Sequence, residues 1–356
     1  MLKNTSLRLI LGLSLFAVTV MAANTEQVQK IDGAPRDQSG RFTNTTSELS
    51  HGSLGVRLPF FLRRIGTSLI GKRGAMELTP NDGILLRENA HGSTPTVTWI
   101  GHATVLVQME NLTFLTDPIW SNRASPSRWF GPNRFVKPGL SIEDLPDIDF
   151  VLISHNHYDH LDLPSLRKLA KHSPAAQFFV PLGNAALLRK NGIEKVQELD
   201  WGQTAHFEGA TIHCLPSQHW SKRSLRDTNK ALWSSWAVTG NQRRFFFAGD
   251  TGYYEGFSEI GEKLGPFDLA AIPIGAYEPT AMMRASHLNP EEAIQVAVDL
   301  KAQRALAIHF GTFNLSDEPS TEPPQRFKQA AKKVEQRTSF DSNNAWVMKI
   351  GETRKF

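Results

Sequence analysis

The sequence predicts an α/β fold built as a single catalytic domain. Short apolar runs of strand length alternate with stretches of helical spacing through the later two-thirds of the chain. Histidines and acids gather directly after those apolar runs, where one sheet edge could bring them together. A chain of 356 residues is long enough for one large core, and no internal repeat or low-complexity tract divides it. The alternation alone permits several α/β architectures.

Residues 1–23 read as an export signal. Lys3 and Arg8 supply the positive start, residues 9–18 the apolar core, and Ala22 and Ala23 the small residues where a peptidase could cut. The apolar run is short for a membrane span, although an uncleaved anchor is the alternative. Export places the mature chain in the periplasm or the envelope. Losing Lys3 and Arg8 takes the 39 basic residues to 37 against 35 acids, so the net charge falls from +4 to +2. That balance gives no electrostatic case for nucleic acid. The single cysteine, Cys214, cannot form an internal disulfide and sits in an apolar run that suits core packing.

Residues 24–75 divide into a polar linker and a covering segment. Residues 24–50 are rich in polar side chains and lack periodicity, as a linker or mobile arm would be. From Leu54 to Ile70, Leu58, Phe60, Phe61 and Leu62 lie among Arg57, Arg63 and Arg64. Such a helix could cover one face of the core or rest on an anionic lipid surface.

Residues 76–356 form the catalytic domain. Runs at 96–100, 103–109 and 112–116 read as strands, with a turn at Glu110-Asn111 and Asp117 at a strand end. Residues 121–140 form a long loop rich in Arg, Pro and aromatics, a composition that suits a cleft entrance. The apolar run 150–153 is followed by a helix over 164–172, then by strands at 178–180, 195–199, 204–207 and 211–215, with a helix near 184–190. Strands over 232–238 and 244–248 flank a hairpin turn at 239–242. After a strand at 268–273, Asn289-Pro290-Glu291-Glu292 marks a helix start, and that helix runs to about 303. A last buried strand covers 305–308.

The chemistry concentrates in Ser154-His155-Asn156-His157-Tyr158-Asp159-His160, directly after the run 150–153. Side chains two apart in extended backbone point the same way, so His155 and His157 can converge on one ion while Asp159 and His160 turn toward another. Imidazole with carboxylate suits zinc, with other transition metals possible.

His-x-His-x-Asp-His resembles the signature of the metallo-β-lactamase fold. The strings Trp99-Ile100-Gly101-His102-Ala103-Thr104, Thr116-Asp117-Pro118, Ser217-Gln218-His219-Trp220 and Phe247-Ala248-Gly249-Asp250-Thr251-Gly252 follow in order. Together they resemble the N-acylphosphatidylethanolamine-hydrolysing phospholipase D branch, from about residue 95 to 311. The resemblance implies a four-layer αββα sandwich holding two zinc ions. It assigns His155, His157 and His219 to one ion, Asp159, His160 and His309 to the other, and Asp250 to both. It implies catalytic roles for Asp159, Asp250 and His287, and substrate contact for Tyr158 and His287. Asp117 would orient the ligand loop, and His102 is placed near the site. Leu163 departs from the branch, which carries an aromatic hydroxyl residue there.

The implied reaction is hydrolysis of N-acylphosphatidylethanolamine to N-acylethanolamine and phosphatidic acid, with a phospholipid substrate and possible membrane contact. A lactonase or cyclic phosphodiesterase on the same fold is the alternative, and a non-enzymatic zinc-holding envelope protein is a third class. The sequence leaves oligomerisation open.

Overall fold

A computed structural model of the chain describes residues 33–46, 52–70, 76–89, 94–127 and 129–356. The signal expected at 1–23 lies outside the described residues.

Among the described residues the strands form two sheets of seven. In chain order they are β1 (Thr96–Gly101), β2 (Thr104–Met109), β3 (Leu112–Thr116), β4 (Phe150–Leu152), β5 (Gln177–Pro181) and β6 (Val196–Leu199). Then follow β7 (Thr204–Phe207), β8 (Ala210–Leu215), β9 (Ser235–Thr239), β10 (Arg244–Phe247), β11 (Leu269–Pro273), β12 (Ala305–Ile308), β13 (Ala345–Trp346) and β14 (Thr353–Lys355). The first sheet runs β14-β1-β2-β3-β4-β5-β6 and the second β13-β12-β11-β10-β9-β8-β7. Each has antiparallel pairing on one side and parallel on the other, changing at β3 and at β10.

Helices flank the sheets: α1 (Leu54–Ile70), α2 (Ile84–Glu88), α3 (Leu163–His172), α4 (Ala185–Arg189), α5 (Gly256–Leu264), α6 (Thr280–Met283), α7 (Pro290–Asp299) and α8 (Glu322–Glu335). The strands read as continuous apolar runs because both faces are buried. On β2, Val105, Val107 and Met109 enter the core between the sheets, while Leu106 joins a second core outside the first sheet. Phe150 and Leu152 of β4 likewise face inward and Val151 outward, where Leu166 and Leu169 of α3 meet it. On the far side, Ala293, Ile294 and Ala297 of α7 and Phe327 of α8 close over the second sheet. This is the metallo-β-lactamase fold, in which successive strand side chains alternate between the core within the sandwich and the helices outside it.

Two element ends differ from expectation. The strand expected from 232 starts at Ser235, because Leu232 and Ser234 donate to the carbonyls of Leu182 and Ser154 instead of joining the second sheet. Helix α7 begins as expected, with Asn289 and Glu292 bonding reciprocally in a capping box, but stops at Asp299. Lys301 adopts φ 54°, and the Ala302 N–H closes back on Ala297, ending the helix.

The N-terminal segment is also a correction. Residues 33–46 are not a mobile arm in the structure: Phe42 is buried in the main core, the Ala34 N–H donates to Asp200, and Asn44 bonds residues of the second half. The described side chains of helix α1 cover little. Phe60 is buried, but Leu54, Leu58, Phe61 and Leu62 face solvent. The helix is held by charge, Arg63 and Arg64 pairing with Asp317 at 2.5 and 2.7 Å. Among the described residues no helix is long and apolar enough to cross a membrane.

Candidate metal centre

The loop after β4 brings its ligands to the end of the first sheet, where the second sheet meets it. His155 Nε2 lies 2.8 Å from His157 Nδ1, and His219 Nε2, delivered past β8, lies 3.2 Å from the same atom. Beside this group, His160 Nε2 is 3.2 Å from His309 Nε2 and 3.2 Å from Asp159 Oδ2. His309 follows β12 and is 3.4 Å from that same carboxylate oxygen. Asp250, after β10, stands between the groups. Its Oδ2 is 3.0 Å from His160 and 3.9 Å from His219, while its Oδ1 is 3.2 Å from His309. The seven residues expected to bind metal are thus brought together, with Asp250 lying between two groups, and Asp250 also clusters with His219 and His287.

The arrangement fits divalent cations. Three imidazole nitrogens converge in the first group, and one proton on each cannot satisfy nitrogens that face one another. The opposite ring nitrogens hold the orientation. His155 Nδ1 meets Ser154 Oγ at 2.9 Å, His219 Nδ1 donates to the Ser286 carbonyl at 2.9 Å, and His160 Nδ1 lies 2.6 Å from Asp117. Asp117 also accepts the Ser154 N–H at 2.6 Å, so one carboxylate fixes the start of the loop and its fourth ligand.

The electrostatics favour positive charge in the second group. Burial opposes a charged His160, yet Asp250, Asp159 and Asp117 hold it well above the ordinary range. Burial likewise opposes charge on His309, but Asp250 with Asp159 raises it to about 9. Burial would raise the carboxyl of Asp250, and His160 and His309 outweigh that and hold it well below the carboxylate range. In the first group burial, followed by the other imidazoles, keeps His155 well below the usual value, as a neutral ligand must be. Two carboxylates and five imidazoles form a nitrogen and oxygen donor set suited to zinc-like ions, and binding at the second group would displace the protons that His160 and His309 hold.

Sequence reading undervalued His102. Its Nε2 is 3.0 Å from Asp159 Oδ2, and it stands in the same four-residue group as Asp159, His160 and His309. Burial and the neighbouring His309 push it down to about 3, so a neutral His102 donates from Nε2 to that carboxylate. Its backbone, at φ 55°, is held by Thr312 Oγ1 on the N–H and by Trp99 and His309 on the carbonyl. The signal was its place in Gly101-His102-Ala103, a tight turn between two paired strands. Asn44 had no signal at all. Its side chain accepts the His219 N–H at 3.1 Å and donates to the His219 carbonyl at 3.0 Å.

The two residues expected at the substrate divide. His287 Nδ1 is 3.9 Å from Asp250 and has no hydrogen-bond partner among the described residues, so it stands beside that carboxylate with a nitrogen to offer. Tyr158 points away from Asp250's neighbours: its hydroxyl donates to the Arg223 carbonyl at 2.9 Å, and the Arg223 guanidinium lies 4.0 Å over its ring. Tyr158 and Arg223 line a cleft of about 600 Å³ with Leu163, whereas His287 is not among the residues lining it.

A beta-lactamase superfamily domain is matched over residues 113–310. The chain is 47% identical over 243 residues to N-acyl-phosphatidylethanolamine-hydrolyzing phospholipase D 1 of Caenorhabditis elegans, covering 65% of this chain and 68% of that one. It is 37% identical over 255 residues to the mitochondrial N-acyl-phosphatidylethanolamine-hydrolyzing phospholipase D of Saccharomyces cerevisiae, covering 69% of this chain and 54% of that one. Among solved structures, a metallo hydrolase from Ignicoccus hospitalis superposes with a TM-score of 0.55 at 21% identity, over 74% of this chain and 98% of that one, which shows the shared fold.

Proposed function

Since the chain belongs to the beta-lactamase superfamily, we propose that it is a dinuclear zinc phosphodiesterase of the phospholipase D type. Its substrate is N-acylphosphatidylethanolamine, and its products are N-acylethanolamine and phosphatidic acid. The observation that carries the metal-dependent chemistry is the position of Asp250 between two groups of ligands. The identity to the nematode and yeast phospholipases supports the lipid.

His155, His157 and His219 would hold one zinc ion, Asp159, His160 and His309 the other, and Asp250 would contribute to each. Bound there, two such ions supply positive charge to the phosphoryl oxygens and make a water acidic near neutral pH. Asp159 is oriented by His102, which keeps one carboxylate oxygen turned toward His160 and His309. His287 Nδ1 faces the space beside Asp250 and is placed to hold a phosphoryl oxygen or to pass a proton to the departing ethanolamine oxygen. The exposed apolar face of α1, with Leu54, Leu58, Phe61 and Leu62, gives the protein a surface for lipid. Residues 1–23 send the chain to the periplasm or envelope, where the mature protein begins near Ala23 or Asn24.

Turnover of N-acylphosphatidylethanolamine in isotopically labelled water tests the reaction. Attack at phosphorus places water oxygen in phosphatidic acid, while the freed N-acylethanolamine keeps its original oxygen. Label in a released fatty acid, with none in phosphatidic acid, would mean that an ester carbonyl is attacked and that the phosphodiesterase reading is wrong.

A further inference from the structure

We propose that Arg223 and Tyr158 form a positioning clamp that sets the geometry of the ligand loop for both metal sites. Arg223 comes from the loop between β8 and β9, four residues after His219. Its Nη1 donates to the Asn156 carbonyl at 2.7 Å and to the Leu161 carbonyl at 2.8 Å. Those carbonyls bracket His157, Tyr158, Asp159 and His160. One guanidinium nitrogen therefore gathers the two ends of the segment that carries ligands for each ion.

Tyr158 completes the device from within the segment. Its ring lies under the guanidinium and its hydroxyl donates to Arg223's own carbonyl, so each residue holds the other. The loop that presents Arg223 is itself fixed, since Asp227 Oδ1 accepts the N–H groups of Arg223 and Ser224 at 3.1 and 2.8 Å. Burial lowers the guanidinium, with Asp162 and Asp227 among the groups opposing that. A half-buried cation that donates to two carbonyls is a stronger tie than an exposed one, because unmaking it strands acceptors on the buried Asn156 and Leu161.

Lysine cannot reproduce the planar stack on Tyr158 together with both donations. This clamp rests on the reading that the loop binds metal, and it alters the role of Tyr158. A hydroxyl already donating to a carbonyl, on a ring already covered, acts on the ligands and not on the substrate.

The test uses the full, metal-loaded chain and reads zinc loss to a competing chelator, alongside the visible spectrum of the cobalt-substituted protein. Arg223→Ala is expected to weaken both ions together by about 10–100-fold, the usual cost of removing a group that orients ligands, and to change the cobalt bands. Arg223→Lys should recover part of the affinity, and Tyr158→Phe should cost about fivefold, one ordinary hydrogen bond. Exposed Arg226, on the same loop, serves as the control, and Arg226→Ala should leave both readouts unchanged. With substrate, kcat should fall and KM stay near its original value.

A wild-type chain that binds no zinc would end the metal reading and the clamp with it. A wild type that binds two ions, beside an Arg223→Ala variant of equal affinity and unchanged cobalt spectrum, would overturn the clamp alone. If Arg223→Ala does not fold, Tyr158→Phe and Arg223→Lys decide. Wild-type zinc affinity in Tyr158→Phe with a raised KM would make Tyr158 a substrate contact and refute the proposal.

Discussion

Asp117 Oδ2 lies 2.6 Å from Nδ1 of His160, with both side chains fully buried. A carboxylate on the outer nitrogen fixes which ring atom faces the site. Asp117→Ala should therefore let the ring turn and weaken the ion bound by His160 by about 10–100-fold. Elemental analysis after dialysis against a chelator checks it; retention of two ions, as in the parent, would contradict the role.

Asn44 holds the backbone of His219 through two hydrogen bonds and also accepts from the Trp233 indole at 3.1 Å. Asn44→Ala removes these bonds from the His219 N–H and carbonyl, at about 1–3 kcal/mol each, while the Trp233 indole keeps the Ser217 carbonyl at 2.9 Å. The expected outcome is a lower thermal midpoint together with weaker metal binding at the His155–His157–His219 group. A fall in midpoint with no change in metal affinity would reduce Asn44 to a packing role.

His287→Ala should slow lipid turnover by about 10²–10⁴-fold, the range for a positioned proton donor. Metal content should stay at the parent level, because His287 belongs to neither ligand group proposed above. Loss of an ion in this variant would instead make His287 a ligand.

Cys214 is fully buried, and burial pushes its thiol well above the ordinary range. A thiolate-specific reagent should leave the native chain unmodified and label it once denatured. Rapid labelling under native conditions would show that β8 opens readily.

His213 gives an acid-side prediction. Burial, aided by His206, lowers it to about 4, so in the folded chain it stays neutral down to that pH. The unfolded chain takes up the proton below about 6.5. Stability is therefore unaffected above that value and falls as pH drops from about 6.5 to 4, where the folded form also protonates. Replacing His213 by Thr should flatten the midpoint-against-pH curve in that window, measured by thermal melts.

Much of the candidate site was legible because its candidate ligands are local. Four lie within the segment His155–His160, and strand-end positions for His219, Asp250 and His309 follow from the apolar runs before them. The strands were legible because segments buried on both faces read as unbroken apolar runs, whereas the four layers came from the family resemblance, since alternation alone permits several α/β architectures. What could not be read were contacts made by ordinary residues at long range. Arg223 and Asn44 look like any polar loop residue, and their partners lie 67 and 175 residues away. Residues 33–46 misled because one buried Phe42 and a few side-chain bonds anchor a segment whose composition is otherwise that of a linker. Helix α1 was read as a cover because its apolar residues are many, yet most of those described face solvent.

The seating of Asp250, His219 and His309 on one sheet, opposite His155–His160 on the other, has a consequence for the lifetime of the chain. An ion held from both sides would cross-link the halves of the sandwich, as a disulfide does in proteins that carry one. Free metal at about a thousand times its dissociation constant adds about 4.1 kcal/mol per site, against about 5–15 kcal/mol for a whole domain. Starved of metal, the same polypeptide would open at this seam more often and be degraded sooner. Cellular abundance would then track metal supply before any change in synthesis.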